Sequence, residues 1–190
     1  MQLAIFKRIL AIAVMCAVLA PFGAGAQTIL GLDEPAMQAV KDGDYQTLRN
    51  ELFKGANPNM ADNDGLTLLI YAARDEFIDL IELLVENNAK LSASDRDGNT
   101  ALHWAVIQGR YGSIESLIGL GASVNAQNRR GETPLMVAAR ESDRDILGLL
   151  LKAEPDFSLR DYSGRGVLDY ARNNRDRRVA ELLQKAGATQ

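Results

Sequence analysis

The sequence predicts an all-α repeat solenoid, and three observations carry that prediction. Glycines return at Gly65, Gly98, Gly131 and Gly164, each 33 residues after the last, a period that marks stacked repeats and not a single globular core. The residues around them align: Asp62, Gly65, Thr67 and Leu68; Asp95, Gly98, Thr100 and Ala101; Asn128, Gly131, Thr133 and Pro134; Asp161, Gly164, Gly166 and Val167. After each motif comes a second apolar run, spaced by one, three and four residues as on the buried face of a helix. These runs are Leu80, Ile81, Leu83 and Leu84; Ile114, Leu117 and Ile118; Ile146, Leu147, Leu150 and Leu151; and Val179, Leu182 and Leu183.

Taken in chain order, residues 1–26 read as a secretory signal peptide. Lys7 and Arg8 precede an apolar run from Ile9 to Ala20, and Ala24-Gly-Ala26 supplies the small residues of a cleavage site. A membrane anchor needs about 20 apolar residues, and Pro21 interrupts this run; a retained anchor is the alternative. Met15 is too large to precede a lipidated Cys16, and cleavage at Gln27 removes that single cysteine, so the exported chain needs no disulfide. Residues 27–35 form an N-terminal segment. An incomplete first unit follows at residues 36–61, with Leu48, Leu52 and Phe53 as its apolar run, and then units at about 62–94, 95–127, 128–160 and 161–190. In the fourth unit Thr133 caps a helix with its hydroxyl and Pro134 takes the first helical position, where its missing N–H costs nothing. The turn glycines supply positive φ, and Gly55 and Gly121 end helices in a left-handed conformation.

These motifs, with the tails Gly55-Ala-Asn-Pro-Asn59 and Gly121-Ala-Ser-Val-Asn125, resemble ankyrin repeats. The resemblance implies stacked helix-turn-helix units with hairpin-like turn fingers, and it covers the chain from Ala36 onward. Terminal units are expected to be atypical, which fits Gly166 and Asp169 standing where the motif has Thr and His. It also assigns His103, the only histidine, to a hydrogen bond with the backbone between units.

Chemistry is sparse. A lone His without a placed carboxylate or nucleophile forms no triad, and no P-loop, nucleophile elbow or zinc-protease helix is present. The stretch Asp95-Arg-Asp97-Gly98-Asn99 departs from a calcium loop, whose glycine belongs at position six and whose twelfth residue, here Val106, should be a glutamate. Neither a cofactor nor a metal is expected. Without Lys7 and Arg8 the chain keeps 19 basic against 25 acidic side chains, a formal charge of −6, which argues against nucleic acid. The excess is uneven: −7 over residues 27–94, −1 over 95–127 and +2 over 128–190.

Helical phase separates two faces of each first helix. Leu69, Ala72 and Ala73, then Leu102, Ala105 and Val106, then Leu135, Ala138 and Ala139 share the inward face. Tyr71, Arg74 and Asp75, then Trp104, Ile107 and Gln108, then Val137, Arg140 and Glu141 share another. Tyr170 extends the column Tyr71, Trp104, Val137, whose alternative role is packing between first helices. By resemblance this second face lines a concave groove bordered by the finger residues Asn63, Asp64, Leu66, Arg96, Asp97, Asn99, Arg129, Arg130, Glu132, Tyr162 and Arg165. Ankyrin arrays mostly serve protein recognition. The expectation is a non-enzymatic, exported bacterial protein, monomeric and free of the membrane after cleavage, that binds a resident enzyme or a toxin in the periplasm. Secretion is the alternative address. A small-ligand binder or enzyme using groove acids, and a head-to-tail assembly, are the alternative functions.

Overall fold

The computed structural model describes residues 34–172 and 177–189, so the signal-peptide reading falls outside the described residues. The repeat region is built from helix pairs: α1 (Pro35–Asp42) and α2 (Tyr45–Phe53), α3 (Leu68–Arg74) and α4 (Ile78–Glu86), α5 (Ala101–Ile107) and α6 (Tyr111–Gly119), α7 (Pro134–Glu141) and α8 (Arg144–Lys152), α9 (Val167–Arg172) and α10 (Arg177–Lys185). Pro35 opens α1 and so belongs to the first unit and not to the preceding segment. Helices α1, α3, α5, α7 and α9 pack in one row; α2, α4, α6 and α8 pack in a second.

The first helices start where capping chemistry dictates. Thr67 and Thr133 are extended N-caps whose hydroxyls accept from Ile70 N (3.2 Å) and Met136 N (3.3 Å), with Pro134 in the first turn. Their inward face is a buried column of Leu69, Leu102, Leu135 and Leu168 beside Ala72, Ala105, Ala138 and Ala171. The small alanines let neighbouring helices approach, and each buried leucine contributes about 1.5–3 kcal/mol. Apolar side chains of the second helices are buried too, with Ile118, Leu151 and Leu182 only partly covered. Phe53 departs from the expectation: it ends α2 at 92% exposure while Leu48 and Leu52 of the same run are buried.

Each finger is a tight turn organised by its first side chain. Oδ1 of Asp62 accepts from the N–H groups of Asp64 and Leu66; Asp95 does the same for Asp97 and Asn99. Asn128 serves Arg130 and Glu132, and Asp161 serves Ser163 and Arg165. Such Asx-turn bonding is what short Asp and Asn side chains do best. Antiparallel bridges Ala61–Thr67 and Ser94–Thr100 close the bases of two fingers. Successive fingers are zipped together by single backbone bonds, Arg96 N to Asp64 O (3.3 Å), Arg129 N to Asp97 O (2.9 Å) and Tyr162 N to Arg130 O (3.0 Å).

That zipper explains the 33-residue glycines. All four have positive φ, and three are also crowded: an added Cβ would lie 3.1 Å from Arg96 N at Gly65, and 2.7 Å from Arg129 N at Gly98 and from Tyr162 N at Gly131. Gly164 meets nothing within 4 Å. Two further left-handed positions recur at the same interval without always using glycine: Gly43, Glu76, Gly109 and Ser142, and Gly55, Asn88, Gly121, Glu154 and Gly187.

Further stitching runs between units. Asn59 Oδ1 accepts from Lys90 N (2.7 Å) and Asn125 Oδ1 from Asp156 N (2.9 Å). His103 is fully buried; its Nε2–H donates to the Glu132 carbonyl in the next unit (3.0 Å), which leaves Nδ1 to accept from the Thr100 hydroxyl (2.9 Å) and backbone N–H (3.3 Å). In the last unit Asp169 performs only the local half of that task, accepting from Gly166 N at 2.8 Å.

Two outcomes follow. Gly164→Ala should cost about 1 kcal/mol, the price of a left-handed Cβ, whereas Gly131→Ala should cost at least about 1 kcal/mol more because the Cβ also meets the next finger; chemical denaturation of both variants measures this. Burial, opposed by the Glu132 bond and the charges of Asp95 and Glu132, depresses the pKa of His103. Below about pH 6.5 the unfolded chain takes up a proton that the native one refuses, so this contribution to stability is present above that pH and falls as pH drops. Between pH 7.5 and 5.5 the wild type should therefore lose stability more steeply than His103→Gln, by at most about 1.4 kcal/mol per pH unit; parallel slopes would refute it.

Candidate functional site

The second face of the first helices does lie against the finger bases, because its polar tips reach them. Tyr71 OH donates to Asp62 Oδ2 (2.8 Å), Trp104 Nε1–H to Asp95 Oδ2 (2.8 Å) and Tyr170 OH to Asp161 Oδ2 (2.7 Å). The spacing is nine residues each time, which one strandlike finger arm and one helical turn span. An aspartate at a finger base thus uses one oxygen for the turn and the other for an aromatic on the helix behind it.

The fourth unit changes both partners together. Asn128 stands where the others have aspartate, and its amide has one acceptor and one donor end. Nδ2 donates to Asn99 Oδ1 (3.0 Å) and Glu132 Oε2 (3.1 Å), so no second acceptor remains for an aromatic donor, and the equivalent helix position is the apolar, fully buried Val137. The unit's anion moves to Glu132, which accepts from Arg130 Nε (2.8 Å) and Arg140 Nη1 (2.7 Å). The phenol of Tyr170 lies 3.1 Å from Glu132 Oε1 while its single proton serves the nearer Asp161. Trp104, Asp95, Asn99, Asn128, Glu132, Tyr170 and Asp161 therefore form one polar chain through three units. Leu66, at the position of Asn99 and Glu132, supplies no polar link and the chain stops there.

Electrostatics follow from this wiring. Burial would raise the carboxyls of Glu132 and Asp161, but hydrogen bonds outweigh it and hold both low: from Arg130 and Asn128, aided by Arg140, at Glu132, and from Tyr170, Ser163 and Arg165 at Asp161. Asp62 is held low in the same way by Tyr71 and the backbone of Leu66 and Asp64. Burial and the neighbouring carboxylates push the phenols of Tyr71 and Tyr170 up. Arg74 stacks 4.6 Å from the Tyr71 ring and Lys41 lies 5.3 Å from it, while Arg165 stacks 4.8 Å from Tyr170.

Five of the residues expected at a contact surface are thereby placed inside. Tyr71 (8% exposed), Val137 and Tyr170 (6%) pack between units, and Asn99 and Glu132 are buried network members instead of finger tips. Two reasons account for them: at the column position the side chain is covered by a neighbouring unit, as Tyr170 reaches Glu132, and the finger position nearest the helices points inward, as the bond from Asn128 to Asn99 shows. Trp104 is half-buried, its ring against the core and its N–H spent on Asp95. Leu66 is half-buried against the core. What remains accessible is Arg74 and Asp75, paired at 2.9 Å and half-exposed; Ile107 and Gln108; Arg140 and Glu141, paired at 3.1 Å; and the tips Asn63, Asp64, Arg96, Asp97, Arg129, Arg130, Tyr162 and Arg165. Missed by the sequence reading are the finger-base acceptors Asp62, Asp95, Asn128 and Asp161 as wiring. The signal for them was their nine-residue offset from Tyr71, Trp104 and Tyr170.

A family model described as ankyrin repeats (3 copies) matches residues 36–128 and again residues 110–190.

The network makes a graded outcome. Tyr71→Phe removes one bond to a carboxylate and should cost about 1.5 kcal/mol. Tyr170→Phe removes the bond to Asp161 and also the one its oxygen accepts from Arg165 Nη2 (3.1 Å), so its loss should exceed that of Tyr71→Phe in urea denaturation.

Proposed function

The chain belongs to the ankyrin repeat family, and from that premise we propose that it is a non-enzymatic protein-binding module exported to the bacterial periplasm, where it engages a partner protein through the accessible groove residues and finger tips. Ankyrin repeats are in general protein–protein interaction modules, and the family is in general non-enzymatic.

One observation carries the reading to this chain. Equivalent positions inside the array repeat, as in Leu69, Leu102, Leu135 and Leu168 or Ala72, Ala105, Ala138 and Ala171, whereas no two tips carry the same pair of residues: Asn63-Asp64, Arg96-Asp97, Arg129-Arg130 and Tyr162-Ser163. Repeated burial supports a scaffold, and varied exposed chemistry on a rigid scaffold supports recognition. The buried His103 and the network carboxylates are occupied by structural hydrogen bonds, which speaks for binding over catalysis. Two partner types suit a periplasmic protein of this build: a resident enzyme that it stabilises or regulates, and a toxin that it neutralises. The address rests on Lys7, Arg8, the Ile9 to Ala20 run and Ala24-Gly-Ala26.

Affinity capture from the protein's own periplasmic extract should return one partner in stoichiometric amount, and the double variant Gln108→Arg with Arg129→Glu, both exposed positions, should lose it while keeping the wild-type unfolding midpoint. Retention by the double variant would remove groove and tips from the interface. N-terminal mass analysis should find Gln27 first; Met1 retained would overturn the export reading.

A further inference from the structure

We propose that the turn joining α5 to α6 is a docking patch for a basic partner segment carrying one apolar or aromatic side chain. The proposal rests on the protein-binding reading above and names the partner's chemistry.

Four large apolar side chains are exposed among the described residues, and two of them, Ile107 (36%) and Tyr111 (41%), flank a single turn in the central unit. The other two, Phe53 and Tyr162, lie in the first and last units. The repeat shows that Ile107 is a departure: the equivalent positions are Lys41, Arg74, Arg140 and Asn173, all polar, and the next residue is Asp42, Asp75, Glu141 or Asn174 where this unit has Gln108. Only the third unit places an apolar side chain at this point of the turn. Gly109 and Gly112 keep the turn free of further side chains; at Gly112 an added Cβ would sit 3.2 Å from both Ile78 Cδ1 of the preceding unit and Glu76 Oε1, so apolar and acidic groups meet at its edge. The apolar strip therefore continues from Ile107 and Tyr111 toward Ile78.

Both neighbouring turns are acidic. Residues 74–79 hold three acids, Asp75, Glu76 and Asp79, against Arg74; residues 140–145 hold three, Glu141, Asp143 and Asp145, against Arg140 and Arg144. Arg74 and Arg140 are engaged with Asp75 and Glu141, and the one cation of the central turn, Arg110, aims its Nε at the Arg74 carbonyl (2.9 Å). On α4 the negative field continues into a shallow depression lined by Tyr45, Leu83, Asp79, Glu82 and Glu86, with no base among its lining residues. Tyr111 is fixed in place by its bond to Asp143 Oδ2 (2.7 Å), which with partial burial pushes its phenol up to about 12. An apolar centre ringed by charge is the anatomy of a binding hot spot, and a ring of net negative sign selects a basic occupant.

The test titrates two synthetic peptides of equal length, Lys-Lys-Trp-Lys-Lys and Glu-Glu-Trp-Glu-Glu, into the ¹⁵N-labelled full chain and follows amide shifts. The lysine peptide should shift residues 107–112 together with those of the two flanking turns. Ile107→Lys should weaken it by about tenfold or more, and Phe53→Ser, at an exposed apolar side chain of the first unit outside the patch, should bind as wild type. Equal response to both peptides, shifts confined to the finger tips, no shift at all, or unchanged affinity in Ile107→Lys would each overturn the patch. If the glutamate peptide instead moves Arg129 and Arg130, the patch fails while the protein-binding reading stands; that reading fails separately, when capture with the whole array returns no partner.

Discussion

A buried or half-buried carboxylate must be surrounded by donors, and the structure depends on how that demand is met at the base of each finger. The side chain of Asp62, Asp95, Asn128 or Asp161 accepts two backbone N–H groups through one oxygen. Meeting the demand this way bends the chain sharply enough to need glycine three residues on, and it presents the finger edge to the N–H of the next finger. The same bend delivers Thr67 or Thr133 to the cap of the following helix. Finger shape, inter-unit distance and helix start are thus consequences of a single local hydrogen-bond requirement, while apolar burial behind them supplies most of the free energy.

The remaining oxygen of each aspartate explains why large aromatics occupy the helix face behind the fingers. Where the side chain is an amide, the aromatic is absent, and where the aromatic is absent, the anion has moved to Glu132. Three changes in one unit, Asn128, Glu132 and Val137, make sense only together. They also convert a set of local pairs into a chain of contacts through the third, fourth and fifth units.

Most of the architecture was legible because it is periodic. Leucine and alanine columns, the Thr133-Pro134 start and the glycine interval announce themselves through spacing alone. Less was legible at the surface. Helical phase correctly set Tyr71, Val137 and Tyr170 apart from Leu69 and Leu135, but phase gives direction and not depth, and these side chains are long enough, or close enough to the next unit, to be covered. Asn99 and Glu132 read as tip residues because polar side chains beside a turn are usually solvated; here they are buried by a network that spans units, which no single-unit reading contains. Two left-handed positions were hidden because Glu76, Asn88, Ser142 and Glu154 stand in for glycine. Glu76 shows why one such stand-in persists: its carboxylate accepts from Gly112 N at 2.9 Å and so caps the helix of the following unit.

Repeat proteins grow and shrink by copying or deleting whole units, and the joint between the fourth and fifth units resists both. A duplicate of the fourth unit placed after itself would set Val137, not Tyr170, beside the first Glu132, and the polar chain would no longer run on to Tyr170 and Asp161. Deleting the fourth unit would set Asp161 where Asn128 stands and leave Asn99 Oδ1 without the amide donor it uses, while the backbone carbonyl of Arg165 would take the place of that of Glu132 for His103. The third, fourth and fifth units together are the shortest segment that keeps the whole polar chain, so an edit of this array by whole repeats preserves that wiring only when it moves the block of three.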